Sequence, residues 1–237
     1  MNHVVLVYPY YRNPRMLELQ VNHWNTLAAS YMFSRHVSLI LVDDASPEPA
    51  EPILASCTLP YELYRINENI PWNQHGARNL GAQVARSDDS WLLMTDMDIL
   101  VPTETLSALV VNPLDPCSHY TFERSFVDRR EPKSHCNTFL VTRRNYWAVG
   151  GYDEDFCGSY GGDGIFLRAL EQIAPRRHLL LPVIGYNDVI EDCSTRDWGR
   201  KNTEFHQEYL RRRGVKKSSK EGLTPKNPLR FTWKRVR

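Results

Sequence analysis

The first hundred positions of the chain alternate between short apolar runs and segments with helical spacing. Val4-Val5-Leu6-Val7-Tyr8, Val37 to Val42 and Trp91 to Thr95 read as buried strands, and Tyr61 to Ile66 as a further one. Between the first two, Asn13-Pro14 supplies an N-cap and a first-turn proline, after which Leu17, Val21, Trp24 and Ala28 share one helix face. A short helical segment is predicted near Pro49 to Ser56. A longer one over Gly76 to Arg86 has Ala77, Leu80 and Val84 in register. Strands separated by helices predict an α/β fold, with a Rossmann-like, mostly parallel central sheet and helices on both faces. In such sheets ligands bind beyond the carboxyl ends of the strands. Here those ends carry Pro9-Tyr10-Tyr11-Arg12, Asp43-Asp44 and Asp96-Met97-Asp98.

The second half is less regular and predicts a smaller second region. His119 to Phe126, Cys136 to Val141 and His178 to Pro182 read as strands, Ile165 to Ile173 and Asn202 to Arg213 as helices, and Gly150 to Phe156 as a loop. One domain is expected over residues 1–213, followed by a basic tail over 214–237.

Charge changes the picture more than composition does. The 237 residues carry a formal net charge of only +1, but the Lys and Arg residues are concentrated after Arg196. An acidic body with a basic tail suits contact with phosphates or an anionic membrane surface, although for Lys216 to Arg237 alone a solvated, partly disordered tail is the first expectation. No apolar run reaches the length of a membrane span, and Met1-Asn2-His3-Val4 lacks the character of a signal peptide. The 5 cysteines include no Cys-x-x-Cys pair, which argues for reduced thiols and against structural zinc. A cytoplasmic protein is expected, with peripheral contact at the inner face of a membrane as the tail's possible role.

The chemistry concentrates at Asp96 and Asp98. Along an extended backbone, alternation sends both carboxylates to one side, where they suit a single hard divalent cation, Mn2+ or Mg2+. Such a cation neutralises a diphosphate.

The order of the motifs resembles family 2 glycosyltransferases of the GT-A fold. The resemblance runs over about residues 4 to 205. It rests on Val7-Tyr8-Pro9-Tyr10-Tyr11, Val42-Asp43-Asp44-Ala45-Ser46, Gly76-Ala77-Arg78-Asn79-Leu80-Gly81, the Asp-x-Asp, and Gly150-Gly151-Tyr152-Asp153-Glu154-Asp155-Phe156. The last segment looks like that of chondroitin-polymerase-like and galactosyltransferase-like members.

The resemblance implies a metal-dependent, inverting transfer from a nucleotide-sugar, with a UDP-sugar favoured, to a hydroxyl acceptor such as a glycan. Asp44 would accept from the imide N–H of a uracil-type base. Tyr10 or Tyr11 would stack on that base beside Pro9, and Arg12 and Arg78 would face the diphosphate next to Gly76. Asp98 is the first choice of metal ligand, with Asp96 reaching ribose, sugar or metal. Asp163, in Tyr160-Gly161-Gly162-Asp163-Gly164, stands where the family carries its catalytic base; a helix N-cap is its structural alternative. A third metal contact falls at Asp188 or Asn187, with His206 as another candidate. Arg196, Arg200 and Lys201 lie in a segment suited to closing over the donor phosphates. Tyr152 is expected on the acceptor side, and Trp72 and His75 near the donor pocket. Asp43 is as suited to bracing a loop as to touching ligand, and Asp153 and Glu154 to forming a turn as to binding sugar hydroxyls.

Other classes are weighed against this one. A nucleotidyltransferase would open with a Gly-rich loop, which Pro9-Tyr10-Tyr11-Arg12 is not. A catalytically impaired nucleotide-sugar-binding or scaffold protein accounts for the single acid around Asp163. The acidic body argues against nucleic acid as a partner.

Overall fold

The computed structural model describes residues 1–127, 133–158, 161–186, 211 and 228–237, with residues 133–136 described by backbone alone. β1 (Val4–Tyr10) pairs in parallel with β2 (Val37–Asp43) and with β4 (Trp91–Met94), and β3 (Tyr61–Ile66) continues in parallel beyond β2. This block is extended by β5 (Ile99–Leu100), β6 (His119–Phe126), β7 (Lys133–Thr142), β8 (Arg176–Gly185) and β9 (Trp233–Arg235). Among the described residues the order across the sheet is β5-β8-β6-β7-β4-β1-β2-β3-β9. β7 runs antiparallel to β4 and to β6, while β6 and β8 are parallel.

Alternation along β1 assigns its side chains to two cores. Val4, Leu6, Tyr8 and Tyr10 join one apolar cluster with Leu17, Val21 and Trp24 of α1 (Pro14–Ala28) and Leu106 and Leu109 of α5 (Thr103–Val111). Val5 and Val7 join the other, with Ala77 and Leu80 of α4 (Gln74–Val84), Tyr146 of α6 (Arg143–Ala148) and Phe166 and Leu170 of α7 (Gly162–Ile173). Two shorter helices, α2 (Tyr31–His36) and α3 (Glu51–Leu54), complete the set among the described residues. α1 starts as its sequence predicts, with Asn13 Oδ1 accepting from Met16 N at 3.3 Å. α4 lies close on the sheet because Gly81 faces Val7, where a Cβ would collide with the valine side chain.

The order β4-β1-β2-β3 reverses direction between β1 and β4, and such a switch point opens a crevice at the carboxyl edge. The loops after β1 and β4 flank that crevice.

The last residues differ from the solvated tail expected of them. β9 pairs antiparallel with β3, Tyr64 opposite Arg235 and Ile66 opposite Trp233. Trp233 meets Tyr64 edge-on at 5.7 Å, and Arg235 and Arg86 both pair with Glu62. The aromatic positions Phe231 and Trp233 drive this pairing, while Lys234, Arg235 and Arg237 protect an edge strand from further pairing. The helix expected over Asn202 to Arg213 lies, apart from Arg211, outside the described residues. No helix among the described residues is long and apolar enough to cross a membrane.

Candidate active site

β2 ends in two carboxylates with different tasks. Asp43 accepts from Ser46 N (2.8 Å), Ala50 N (3.0 Å) and Arg65 Nη1 (2.7 Å), so it closes the loop that follows. Burial pushes its pKa up, and those hydrogen bonds and the Arg65 charge work against the rise. Asp44 is also buried, with its N–H donating to the Tyr10 carbonyl at 2.9 Å. Its Oδ1 accepts from Asn73 Nδ2 at 3.1 Å.

The loops after β1, β2 and β3 each contain a non-glycine residue in the left-handed region: Arg12 (φ 47°), Ala45 (φ 52°) and Trp72 (φ 44°). Each such residue costs about 1–2 kcal/mol, so the surrounding bonds must hold it there. Arg12 N donates to Ser46 Oγ at 3.1 Å, tying the β1 loop to the β2 loop. The Arg12 side chain is exposed at the crevice edge, and Pro9 and Tyr11 are half-buried beside it. Tyr10 is not at the edge. Its ring is fully buried in the α1-side core and its hydroxyl pKa is pushed up to about 12, mainly by burial, which leaves Tyr11 as the aromatic of this loop.

The Asp-x-Asp does not lie on an extended strand. β4 stops at Met94, and Ile99 N donates back to the Asp96 carbonyl at 3.1 Å, closing a turn over Asp96 to Ile99. Gln20 fixes this turn from α1: its Nε2 donates to the carbonyls of Met97 (2.9 Å) and Ile99 (2.8 Å). Asp96 is half-buried and held by side-chain donors on both oxygens, Asn137 Nδ2 on Oδ2 at 3.0 Å and Arg78 Nη2 on Oδ1. Asp98 is half-buried, and its carbonyl accepts from Tyr186 N at 2.9 Å.

Arg78 was expected to face a diphosphate. It is instead fully buried, and its other terminal nitrogen donates to Asp163 Oδ1 at 2.8 Å. Burial opposes its charge, but the carboxylates of Asp96 and Asp163 outweigh that and raise its pKa. Tyr152, expected on the acceptor side, is also fully buried. Its ring lies 5.4 Å from the Arg78 guanidinium, with His75 stacked on it at 4.9 Å and Phe166 at 4.3 Å. Out of water, the guanidinium is held by two counter-charges and an aromatic ring. Asp163 sits in the first turn of α7, and the N-cap is Gly161 at φ 111°, so the carboxylate is engaged with Arg78 and is not the cap.

The remaining expected residues divide clearly. Gly76 is buried under Asn73 and Phe231. Glu154 accepts from Asn79 Nδ2 (2.8 Å), Leu229 N (2.6 Å) and Arg230 N (3.0 Å), and Asp153 accepts from Asp155 N at 3.1 Å, so these acids shape the loop. Asp188, Asn187, Arg196, Arg200, Lys201 and His206 lie outside the described residues. Among the described residues no third His, Cys, Asp or Glu joins Asp96 and Asp98 in a metal-sized group.

Gln20, Asn73, Asn79 and Asn137 were not assigned roles from the sequence. Gln20 had a signal, a long polar side chain inside the apolar stripe of Leu17, Val21 and Trp24. Asn79 lay within a quoted motif. Asn137 had none, since its partner is 41 residues away.

The arrangement of the sheet is that of the GT-A fold. Residues 21–150, more than half of the chain, match the model of glycosyl transferase family 2, and the chain belongs to that family. No curated protein sequence matches it. Solved structures agree on the fold. TarS of S. aureus, residues 1–349, is 15% identical with a TM-score of 0.61, covering 88% of this chain and 63% of its own. The mannosyltransferase PcManGT of Pyrobaculum calidifontis, solved with GDP-Man and Mn2+, is 14% identical with a TM-score of 0.58, covering 89% and 60%. The catalytic domain of Drosophila beta1,4-galactosyltransferase 7, solved with xylobiose, is 16% identical with a TM-score of 0.56, covering 94% and 83%. The chain thus spans less than two thirds of the length of the first two.

Proposed function

We propose that the protein transfers a sugar from a nucleotide-sugar, with a UDP-sugar favoured by chemical fit, to a hydroxyl group of a glycan or similar acceptor, with inversion at the anomeric carbon. The observation that carries this reading is the Asp96–Arg78–Asp163 ion-pair chain, which joins the donor-side turn to the head of α7 at the crevice edge. Asp44 supplies the carboxylate acceptor suited to a uracil imide, and Arg12 the cation suited to a diphosphate.

The hard oxygens of Asp98 and Asp96 fit Mg2+ or Mn2+, ions that bind through one or two carboxylates and complete their shell with water and substrate phosphate. Asp98 is the first choice of ligand, beside Asp96, whose carboxylate accepts from Arg78 and Asn137. Bound there, the cation would offset the charge that develops on the departing nucleoside diphosphate. Neighbours on this fold, PcManGT and GalNAc-T7, are solved with Mn2+, which supports a divalent requirement.

Asp163 takes the proton of the acceptor hydroxyl as its oxygen attacks the anomeric carbon. The bond from that carbon to the phosphate oxygen breaks on the opposite side, and the proton passes from Asp163 to solvent. Arg78 holds the carboxylate in place for this step through Oδ1.

The test is isothermal titration of UDP, GDP, CDP and dTDP into the protein with Mn2+, repeated in EDTA and with Asp98→Ala. Binding of UDP that requires both metal and Asp98 is expected, followed by turnover of UDP-sugars. Silence with all four nucleotides would overturn the reading in favour of a protein that no longer uses this site.

A further inference from the structure

Asn73 is the N-cap residue of α4, a position where an Asn side chain ordinarily accepts from the backbone of the next turn. Here it makes no such bond. Its Nδ2 donates instead to Asp44 Oδ1 at 3.1 Å, and its Oδ1 accepts from Cys157 Sγ at 3.0 Å. The side chain has turned back across the first turn of its own helix, over Gly76, and a Cβ on Gly76 would collide with its amide.

The other group that a Cβ on Gly76 would meet is the ring of Phe231, from the C-terminal segment. That ring is buried in the same core as Ala77 and Leu80. The segment is anchored on both sides of it. Upstream, Leu229 N and Arg230 N donate to the buried Glu154 carboxylate at 2.6 and 3.0 Å. Downstream, Thr232 N donates to Glu68 Oε2 at 2.9 Å, and β9 pairs with β3.

We propose that the C-terminal segment is a working part of the nucleotide site, in which Phe231 pins Asn73 so that its amide holds the Asp44 carboxylate in place for the nucleobase. Phe231 and Asn73 are positioning residues, and they act in series: Phe231 has an effect on the nucleotide only through Asn73. The chain from Phe231 to Asp44 spans the two ends of the sequence. It also accounts for a glycine at position 76, where any side chain would displace both groups. The inference rests on the reading of Asp44 as the group that meets the base.

The experiment is a double-mutant cycle on nucleotide affinity. The wild type, Asn73→Ala, Phe231→Ala and the double variant are titrated with Mn2+ and whichever of UDP, GDP, CDP and dTDP the wild type binds most tightly. All titrations are run where circular dichroism shows every variant folded. Loss of one hydrogen bond to a carboxylate predicts about tenfold weaker binding for Asn73→Ala. Phe231→Ala should weaken binding in the same direction, and the double variant should bind no more weakly than Asn73→Ala alone, because effects in series do not add. Phe231→Leu, which keeps apolar bulk over Gly76, should recover most of the affinity, and it carries the comparison if Phe231→Ala does not fold. A Phe231→Ala variant that melts earlier but binds as tightly as wild type would reduce the segment to a structural brace and overturn the proposal. Additive losses in the double variant would overturn the series mechanism. If the wild type binds none of the four nucleotides, the underlying reading of the site fails and takes this inference with it.

Discussion

Acidification should destabilise the protein through His75, and the structure sets the size of the effect. The imidazole is fully buried, stacked on Tyr152 at 4.9 Å, and neither ring nitrogen has a hydrogen-bond partner among the described residues. Gly162, at the head of α7, leaves no room on the ring's other flank, where a Cβ would collide with it. Burial is the main reason its pKa falls from 6.5 to about 4; Asp163 and Asp96 pull it back up and Arg78 pushes it further down. Between those two values the unfolded chain binds a proton that the folded chain does not. Stability is therefore complete above the unfolded value and falls as pH drops toward the folded one. The displacement is equivalent to about 3 kcal/mol. For a chain of this length that is a loss of about 6–12 °C in melting temperature. Urea unfolding of the wild type and His75→Phe, from about pH 7.5 down to about pH 4.5, isolates the effect. Phenylalanine keeps the stack and has nothing to protonate, so its stability should fall much less over this range. His3, His23 and His119, whose pKa values burial also lowers, add the same sign to both proteins, and Asp43, raised by burial, adds the opposite sign to both. Parallel pH dependences in the two proteins would refute the argument.

Further outcomes are expected. Asp163→Asn removes the base together with one of the two counter-charges of Arg78, so kcat should fall about a thousandfold and the melting temperature should drop, while nucleotide affinity changes little where the variant is folded; transfer assays, thermal unfolding and titration separate these effects. Gln20→Leu removes the amide that donates to the Met97 and Ile99 carbonyls, leaving Ile99 with the longer bond from the Tyr8 hydroxyl at 3.4 Å, and should cost about 1–3 kcal/mol in urea unfolding, with weaker Mn2+-dependent nucleotide binding because the Asp96–Ile99 turn loosens. Gly81→Ala drives a methyl group into Val7 between α4 and β1; overpacking there should cost about 1–3 kcal/mol, read as a lower melting temperature.

The regular part of the fold was legible because its signals are local. β3 spans Tyr61–Ile66 as its sequence predicts, and α1 begins at Pro14 behind an Asn13 cap. α5 was not anticipated, since Leu106, Leu109 and Val110 follow an apolar strand end with only Pro102 and Thr103 to mark the change. The C-terminal segment was misjudged because its cations dominate its composition, whereas its structure follows Phe231 and Trp233.

By itself the sequence determined the parallel α/β core and the carboxyl-edge position of the polar clusters. Those follow from strand length, helix spacing and motif order, all properties of neighbouring residues. Only the tertiary structure decided which polar side chains are paired with one another inside the protein, as Arg78, Tyr152, Asn73, Gln20 and Asn137 are. The physical reason is that a buried charge or amide must find its partners wherever the chain brings them. Arg78 meets Asp163 across 85 residues of sequence and Gln20 meets Met97 across 77, separations at which no local pattern records the pairing.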